Sequence, residues 1–113
     1  MSEELSFTIK ELVEKPWSEM IIYNLTENQK EELLNNKNLV NEYIMFPKGS
    51  VWEEHSHNRP QLILVIAGKL THIVNREEFV QEADNLLIVP KDILHHAYAG
   101  KSKHLLVYVF HKK

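Results

Sequence analysis

Residues 49–68, GSVWEEHSHNRPQLILVIAG, join a polar segment that carries two histidines to an apolar segment that ends in glycine. The apolar run at 62–67 has the Leu, Ile and Val content of a buried β-strand and is far too short to span a membrane. His55 and His57 stand two residues apart in the polar part. On an extended chain, residues i and i+2 point to the same side, with α-carbons roughly 6.5 to 7 Å apart. Both imidazoles can therefore reach one ion.

Short segments rich in Val, Ile, Leu and Tyr lie on both sides of this stretch, and each predicts a strand: 40–46, 69–74, 78–80, 86–89 and 105–110. Residues 6–12 and 20–25 are weaker strand candidates. Turn-forming Gly, Asn, Asp and Pro separate the segments at close intervals, which favours an all-β barrel or sandwich.

Glycine is scarce for a fold with so many turns, since the chain has only 3. Some turns must therefore use residues that tolerate the left-handed region, and the candidates are Asn58, Asn75, Asp84 and Asp92. One segment, residues 27–36, predicts a short helix instead of a strand. Thr26 can cap it, Gln29 can complete a capping box, and Leu33 and Leu34 share one face.

Length and composition predict a single domain over residues 1–113. The formal charge of −3 gives no electrostatic footprint for nucleic acid or anionic lipid, so neither partner is expected. Cysteine is absent, which excludes thiolate catalysis, zinc ribbons and iron–sulfur clusters. Glu3 and Glu4 stand where a signal peptide would have cations, and the expected location is the cytoplasm.

All seven histidines lie at residue 55 or beyond, and three of them combine with Gln61 into a metal-ligand set. Gln61 begins the strand that follows the His55 and His57 pair, and His95 follows a turn at residues 90–92. Three imidazoles and an amide oxygen suit a divalent transition metal, such as Zn, Ni, Fe or Mn, better than calcium or magnesium. Surface or core histidines are the alternative interpretation.

The segment at 49–68 resembles the first motif of the cupin family, G-x5-H-x-H-x3-4-E-x6-G, with Gln61 at the Glu position. Residues 84–99, DNLLIVPKDILHHAYA, resemble the second motif, G-x5-P-x-G-x2-H-x3-N, through Pro90 and His95. Asp replaces both glycines of that motif, and Ala replaces its asparagine. The resemblance implies a jelly-roll β-barrel with a metal in its mouth, and a homodimer whose N-terminal strands pair across the interface.

The spacing H-S-H-x3-Q-x6-G is similar to that of the cupins of pectin and alginate breakdown, which open unsaturated uronates to linear keto acids. In that group a final-strand Asp and Phe act beside the metal, and this chain has Tyr108 and Phe110 there. Tyr108 is therefore a weak catalytic candidate as a proton donor. His72, in the alternating run 70–74, is a second weak candidate. It is either a histidine of the core or groove, or a group that supports the metal ligands.

Other aromatic residues and histidines have plainer interpretations. Five further residues fit a hydrophobic core more readily than a ligand pocket: Trp52, Tyr43, Met45, Tyr98 and Phe110. The remaining histidines are expected outside the site: His96 on the opposite strand face, and His104 and His111 on a solvated edge rich in lysine.

Three functions fit these residues. The first is a metal-dependent isomerase or ring-opening enzyme, in which the ion acts as a Lewis acid on a small carbonyl or sugar-acid substrate. The second is a binding or sensor protein for a small-molecule ligand. The third is an iron- or manganese-dependent dioxygenase. Gln61 in place of a carboxylate raises the net charge of the site and removes a proton acceptor, which weakens the match to cupin dioxygenases that use the Glu as a base.

Overall fold

The computed structural model describes residues 2–113, and its elements follow one another along the chain. In order they are β1 (Glu3–Glu4), α1 (Ile9–Glu14), β2 (Ile22–Asn24), α2 (Glu27–Leu34), β3 (Leu39–Phe46), β4 (Val51–His55), β5 (Gln61–Ala67), β6 (Leu70–Val74), β7 (Glu77–Gln81), β8 (Asn85–Val89), β9 (His95–Ala99) and β10 (Leu105–Lys112).

The strands form two sheets, one of six strands in the order β1-β2-β8-β5-β10-β3 and one of four in the order β4-β9-β6-β7. Apart from the parallel pair β1 and β2, the paired strands are antiparallel. Consecutive strands repeatedly lie in different sheets, as the sequence prediction of a jelly-roll barrel requires. The predicted all-β fold is thus confirmed.

Strand β5 is buried on both faces, which explains its continuous apolar sequence. Ile63 and Val65 face the other sheet and pack in a core between the two sheets. Leu62 and Leu64 point the opposite way, into a second core that the helices cover. The six-stranded sheet is therefore the middle layer of three.

The strand predicted at residues 6–12 is wrong, because residues 9–12 lie in α1. Thr8 caps the helix through a reciprocal capping box with Glu11. Ile9, Leu12 and Val13 recur at helical spacing and are buried on the sheet. The apolar residues of this short segment fit a strand as well as a helix. The capping box at Thr8 and Glu11 favours the helix.

Helix α2 confirms the predicted helix and its cap. The amide N–H of Gln29 donates to the Thr26 hydroxyl at 3.2 Å, and the Gln29 side chain accepts from the Thr26 N–H at 2.9 Å. Leu33 is fully buried. The chain thus has two short helices where the sequence predicted one, and neither described helix has the length or apolar character to cross a membrane.

The turns use asparagine and aspartate much as the scarcity of glycine predicts. Asn75, Asp84 and Asp92 have φ of 50°, 74° and 61°. The prediction for Asn58 is wrong, because it is not among the described residues with positive φ. Arg76 has a φ of 67°, which the sequence analysis does not predict.

Gly68, between β5 and β6, is required for both its conformation and its small size. Its φ is +89°, and a β-carbon there would lie 2.7 Å from the carbonyl oxygen of His104. Gly49 has a similar φ of +76°, but a β-carbon there would meet nothing closer than 3.8 Å. The two glycines therefore separate the cost of backbone strain from the cost of a clash.

We expect Gly49→Ala to lower the free energy of unfolding by roughly 1–2 kcal/mol, the cost of a left-handed non-glycine residue. Gly68→Ala adds an overpacking cost of roughly 1–3 kcal/mol, because backbone must move. Urea unfolding followed by circular dichroism measures both. Equal losses in the two variants would contradict the close approach of Gly68 to the chain at His104.

Candidate metal centre

Three histidine rings converge at one end of the barrel. Their ring centroids are separated by 4.9 Å between His55 and His57, 4.3 Å between His55 and His95, and 5.3 Å between His57 and His95. One potential ligand atom from each ring lies within 4.8 Å of the others. Imidazole nitrogens that share a zinc ion each lie about 2.0–2.1 Å from it, so they must lie within roughly 4 Å of one another.

Backbone pairing brings these histidines together from distant parts of the sequence. His55 at the end of β4 lies opposite His95 at the start of β9, next to an irregularity in the strand register. His57 lies in the following loop, and its carbonyl oxygen accepts a hydrogen bond of 2.7 Å from the N–H of Asp92. The left-handed turn at Asp92 therefore ties the loop of His57 to the turn that precedes His95.

Local hydrogen bonds orient two of the rings. The Nδ1 of His55 donates to the Glu53 carbonyl at 2.6 Å, and the Nδ1 of His95 donates to the Ile93 carbonyl at 2.9 Å. Because a carbonyl can only accept, both Nδ1 atoms carry the proton and each neutral ring keeps its lone pair on Nε2. This is the tautomer in which an oriented histidine offers Nε2 to a metal.

Burial favours the neutral form of two of the three rings, those of His57 and His95. Desolvation is the largest cause that lowers the pKa of His57, and the nearby His55, His95 and His111 add to the effect. Desolvation also lowers the pKa of His95, although its hydrogen bond to Ile93 opposes the change. Neutral imidazole is the form that binds metal, so both shifts favour a cation at this position.

Gln61 lies at the start of β5 and lines the same cavity as the three histidines. Its side chain is buried, and it pairs in register with Val89 at the end of β8. The structure therefore brings all four residues of the predicted ligand set to one cavity. Coordination by the Gln61 amide oxygen stays a prediction.

The cavity has a volume of about 140 Å³, and its wall away from the histidines is largely apolar. Both sheets contribute, with these side chains: Phe46, Trp52, Ile63, Leu70, Ala97, Leu105, Val107 and Val109. Trp52, which we expected in the core, is part of this wall. Apolar walls exclude water and strengthen every charge interaction inside the cavity.

His72 also lines the cavity, at 2% exposure, and its ring centroid lies 6.2 Å from that of His95. Its Nε2 is 3.0 Å from Oε1 of Gln81, a residue that the sequence analysis missed. Desolvation lowers the pKa of His72 to about 4. The sequence signal for Gln81 was its position two residues after Phe79, on the inward face of β7.

Tyr108 lies outside this cavity. Val107 and Val109 of β10 line it, and Tyr108 between them points to the opposite face. There its ring packs 4.8 Å from Tyr43 and 6.2 Å from Phe110, which belongs to the core under the helices. The expected placement of Tyr108 and Phe110 beside the metal is therefore wrong. Because side chains alternate along β10, both residues lie on the face opposite the cavity.

The other three histidines do not line the cavity. His96 is half-buried on the neighbouring face of β9, and His104 is exposed, where its Nδ1 accepts a hydrogen bond from the Lys48 N–H at 3.1 Å. His111 is half-buried rather than solvated, and burial together with Arg59 lowers its pKa.

The low pKa of His72 makes the metal-free protein sensitive to acid. Its unfolded-state pKa is about 6.5 and its folded-state pKa about 4, so only the unfolded chain takes up the proton between these values. The free energy of unfolding is therefore highest above pH 6.5, and it falls by about 3 kcal/mol as the pH falls to 4. The nearby His95 and His55 also lower the pKa of His72, and the hydrogen bond with Gln81 raises it.

We expect His72→Phe to reduce the decrease in unfolding free energy between these pH values, measured by urea unfolding of metal-free protein. His104→Phe, at an exposed position, serves as the matched control and should leave the pH dependence unchanged. The same pH slope in His72→Phe and the wild type would refute the neutral buried state of His72.

Comparison with known structures identifies the barrel. A cupin-2 domain protein from Shewanella frigidimarina matches with a TM-score of 0.58 at 15% identity, over 79% of this chain and 94% of that one. KdgF from a Halomonas species matches with a TM-score of 0.56 at 22% identity, over 69% and 72% of the two chains. An RmlC-like cupin from Methanocaldococcus jannaschii, with a double-stranded β-helix fold, has a TM-score of 0.58 at 18% identity, over 84% and 81%.

At these identities the likeness concerns the fold. No curated protein sequence matches the chain. The family model for the cupin domain, however, matches residues 42–111, which is more than half of the chain and includes all four predicted metal ligands. The chain belongs to the cupin family.

Proposed function

We propose that this cupin binds a divalent transition metal through His55, His57 and His95, with Gln61 as a fourth ligand, and uses it on a small oxygen-containing substrate. The observation that carries the proposal is the convergence of three imidazoles whose ligand atoms lie within 4.8 Å of one another. When bound, the ion would supply Lewis acidity toward a carbonyl or enol oxygen. Isomerisation or ring opening of a sugar-derived acid is the reaction class that the H-x-H-x3-Q spacing favours.

The ligand set supports this chemistry through its charge. Three neutral histidines and an amide leave a divalent ion with its full charge of about +2, whereas a carboxylate ligand would reduce it. The apolar wall, including Trp52 and Phe46, keeps bulk water away and so reduces the screening of that charge. A cavity of about 140 Å³ restricts the part of the substrate that enters to a few heavy atoms.

A ligand-binding or sensor function is the second candidate, and one observation favours it. Among the described residues that line the cavity, none is a carboxylate, and Tyr108 points away from it. Acid–base chemistry there depends on histidine alone. Ligand binding without turnover would distinguish this function from the enzymatic one.

We expect purified, untagged protein prepared without chelator to contain near-stoichiometric zinc, nickel, iron or manganese by elemental analysis. The double variant His55→Ala/His95→Ala should lose it, because two of the three imidazole ligands are removed. Added metal should also stabilise the metal-free wild type by about 2.7 kcal/mol when the free ion is about 100 times Kd. Gln61→Leu should bind the ion more weakly than the wild type.

The matched control is His96→Ala/His104→Ala, which removes two imidazoles outside the cavity lining and should keep the metal. A wild type that contains no metal and takes up none of the four ions would refute the proposed function. Iron or manganese with an oxygen-dependent spectral change would instead support dioxygenase chemistry.

We also propose that the protein is a homodimer, as its family resemblance implies, with strand β3 at the interface. β3 is an edge strand of the six-stranded sheet, so one side of its backbone is available for pairing. Val40, Tyr43 and Met45 on this strand are 51%, 53% and 63% exposed. The N-terminal strand β1 is a weaker candidate, because it has two residues, both glutamate.

We expect light scattering coupled to size exclusion to give a dimer for the wild type and a monomer for Met45→Glu, since a buried unpaired carboxylate opposes association. Leu94→Glu is the control, because Leu94 is similarly exposed, at 57%, and lies on the loop before β9. A monomeric wild type would rule out the dimer.

A further inference from the structure

His72 has a buried nitrogen atom without a hydrogen-bond partner. Its Nδ1 is the sole buried side-chain polar atom in the described part of the chain that lacks one. Such an atom costs about 1–3 kcal/mol when it stays unpaired, so its retention at this position calls for a partner that the protein itself does not supply. His72 belongs to the lining of the cavity that holds the three clustered histidines.

Gln81 determines which nitrogen of His72 carries the proton. The Nε2 of Gln81 donates to the carbonyl oxygens of Ile63 at 2.9 Å and Asn85 at 3.0 Å. Because both N–H groups of the amide are directed to acceptors, its Oε1 must face His72 and accept from the imidazole. The Nε2 of His72 is therefore the donor, and Nδ1 of the neutral ring keeps a free lone pair.

Gln81 is itself fixed in this orientation. It is fully buried, and its two acceptors belong to different strands, β5 and β8 of the six-stranded sheet. A rotation of the amide would place its oxygen against two carbonyl oxygens. The network thus fixes Nδ1 of His72 as a hydrogen-bond acceptor. In a neutral imidazole without such a partner, either nitrogen can carry the proton.

We propose that Nδ1 of His72 accepts a hydrogen bond from a hydroxyl group of the molecule that this cavity binds. The inference rests on the proposed function, which places a metal at His55, His57 and His95, and it names the ligand class. The ligand carries a hydroxyl next to the oxygen that the metal would hold, as in an α-hydroxy carbonyl or an enediol. His72 is thereby a ligand-contacting residue that selects for a donor.

The composition of the cavity wall supports this selection. Besides the predicted metal ligands, the polar side chains of the wall are those of His72 and Trp52. A fixed lone pair favours an O–H group and disfavours an ether oxygen or a carboxylate at the same place, because two acceptors repel. An analogue without the hydroxyl leaves the buried Nδ1 unpaired, and this penalty is the basis of discrimination.

The first test uses the wild-type protein and needs no variant. Nitrogen-15 spectra of the imidazoles, recorded on metal-free and zinc-loaded protein, should show His72 with a proton on Nε2 and none on Nδ1. Titration with hydroxyacetone should then shift the Nδ1 resonance upfield, whereas methoxyacetone, which has no donor, should not shift it. A proton on Nδ1, or an Nδ1 resonance that responds to neither compound or equally to both, would overturn the proposal.

The second test measures affinity. Wild-type protein should bind hydroxyacetone more tightly than methoxyacetone, by roughly two- to tenfold, the range of one net hydrogen bond. His72→Phe should bind the two compounds equally and keep its zinc, which elemental analysis checks. Retained discrimination in His72→Phe would contradict the proposal.

These experiments distinguish a failure of this inference from a failure of the proposed metal function. A protein that takes up no metal but shows the His72 response in its metal-free form would refute the metal and retain the acceptor. A protein with stoichiometric metal and no His72 response would support the metal function and refute the role of His72 as an acceptor. If His72→Phe does not fold, the wild-type titration still decides the inference.

Discussion

Burial of strand β5 on both of its faces is the constraint on which the rest of the molecule depends. Leu62 and Leu64 need a cover on one side, and Ile63 and Val65 need one on the other. The helices supply the first and the four-stranded sheet supplies the second. Because Gln61 begins this strand, its position at the barrel mouth follows from packing that lies several residues away.

The same alternation separates residues that serve the cavity from those that serve the core. On β10, Val107 and Val109 line the cavity, whereas Tyr108 and Phe110 face the helices. The chain therefore has one apolar interior for stability and another, between the sheets, that opens toward the histidine cluster. Polar side chains in this second interior are few, and hydrogen bonds fix the orientation of several, as at His95 and His72.

Much of this arrangement could be predicted from the sequence, because strand periodicity and the two histidine motifs are local signals. His55, His57, Gln61 and His95 were assigned to one site from spacing and family resemblance, and they line one cavity. Residues whose role depends on tertiary contacts could not be predicted. The orientation of Gln81 depends on hydrogen bonds to carbonyl groups of other strands, and no local sequence pattern indicates these partners.

Helix α1 and Tyr108 show two further limits. In α1, a capping box outweighs an apolar spacing that also fits a strand. For Tyr108, the family resemblance aligned the final strand in a register that places the tyrosine toward the metal. A shift of one residue reverses the face of every side chain, so resemblance in a strand without a motif is a weak guide to orientation.

The hydrogen bond from Asp92 to the carbonyl of His57 has a consequence for the order of folding. It joins residues 35 positions apart in sequence, and the pairing of β4 with β9 spans a similar distance. Contacts of this kind form late, because the loop entropy must be lost before they are made. A nascent chain would then offer an ion only a two-histidine segment, and the full ligand set would exist only after the barrel has closed. The ion that the proposed site binds would therefore be selected by the folded protein, in whichever compartment folding is completed.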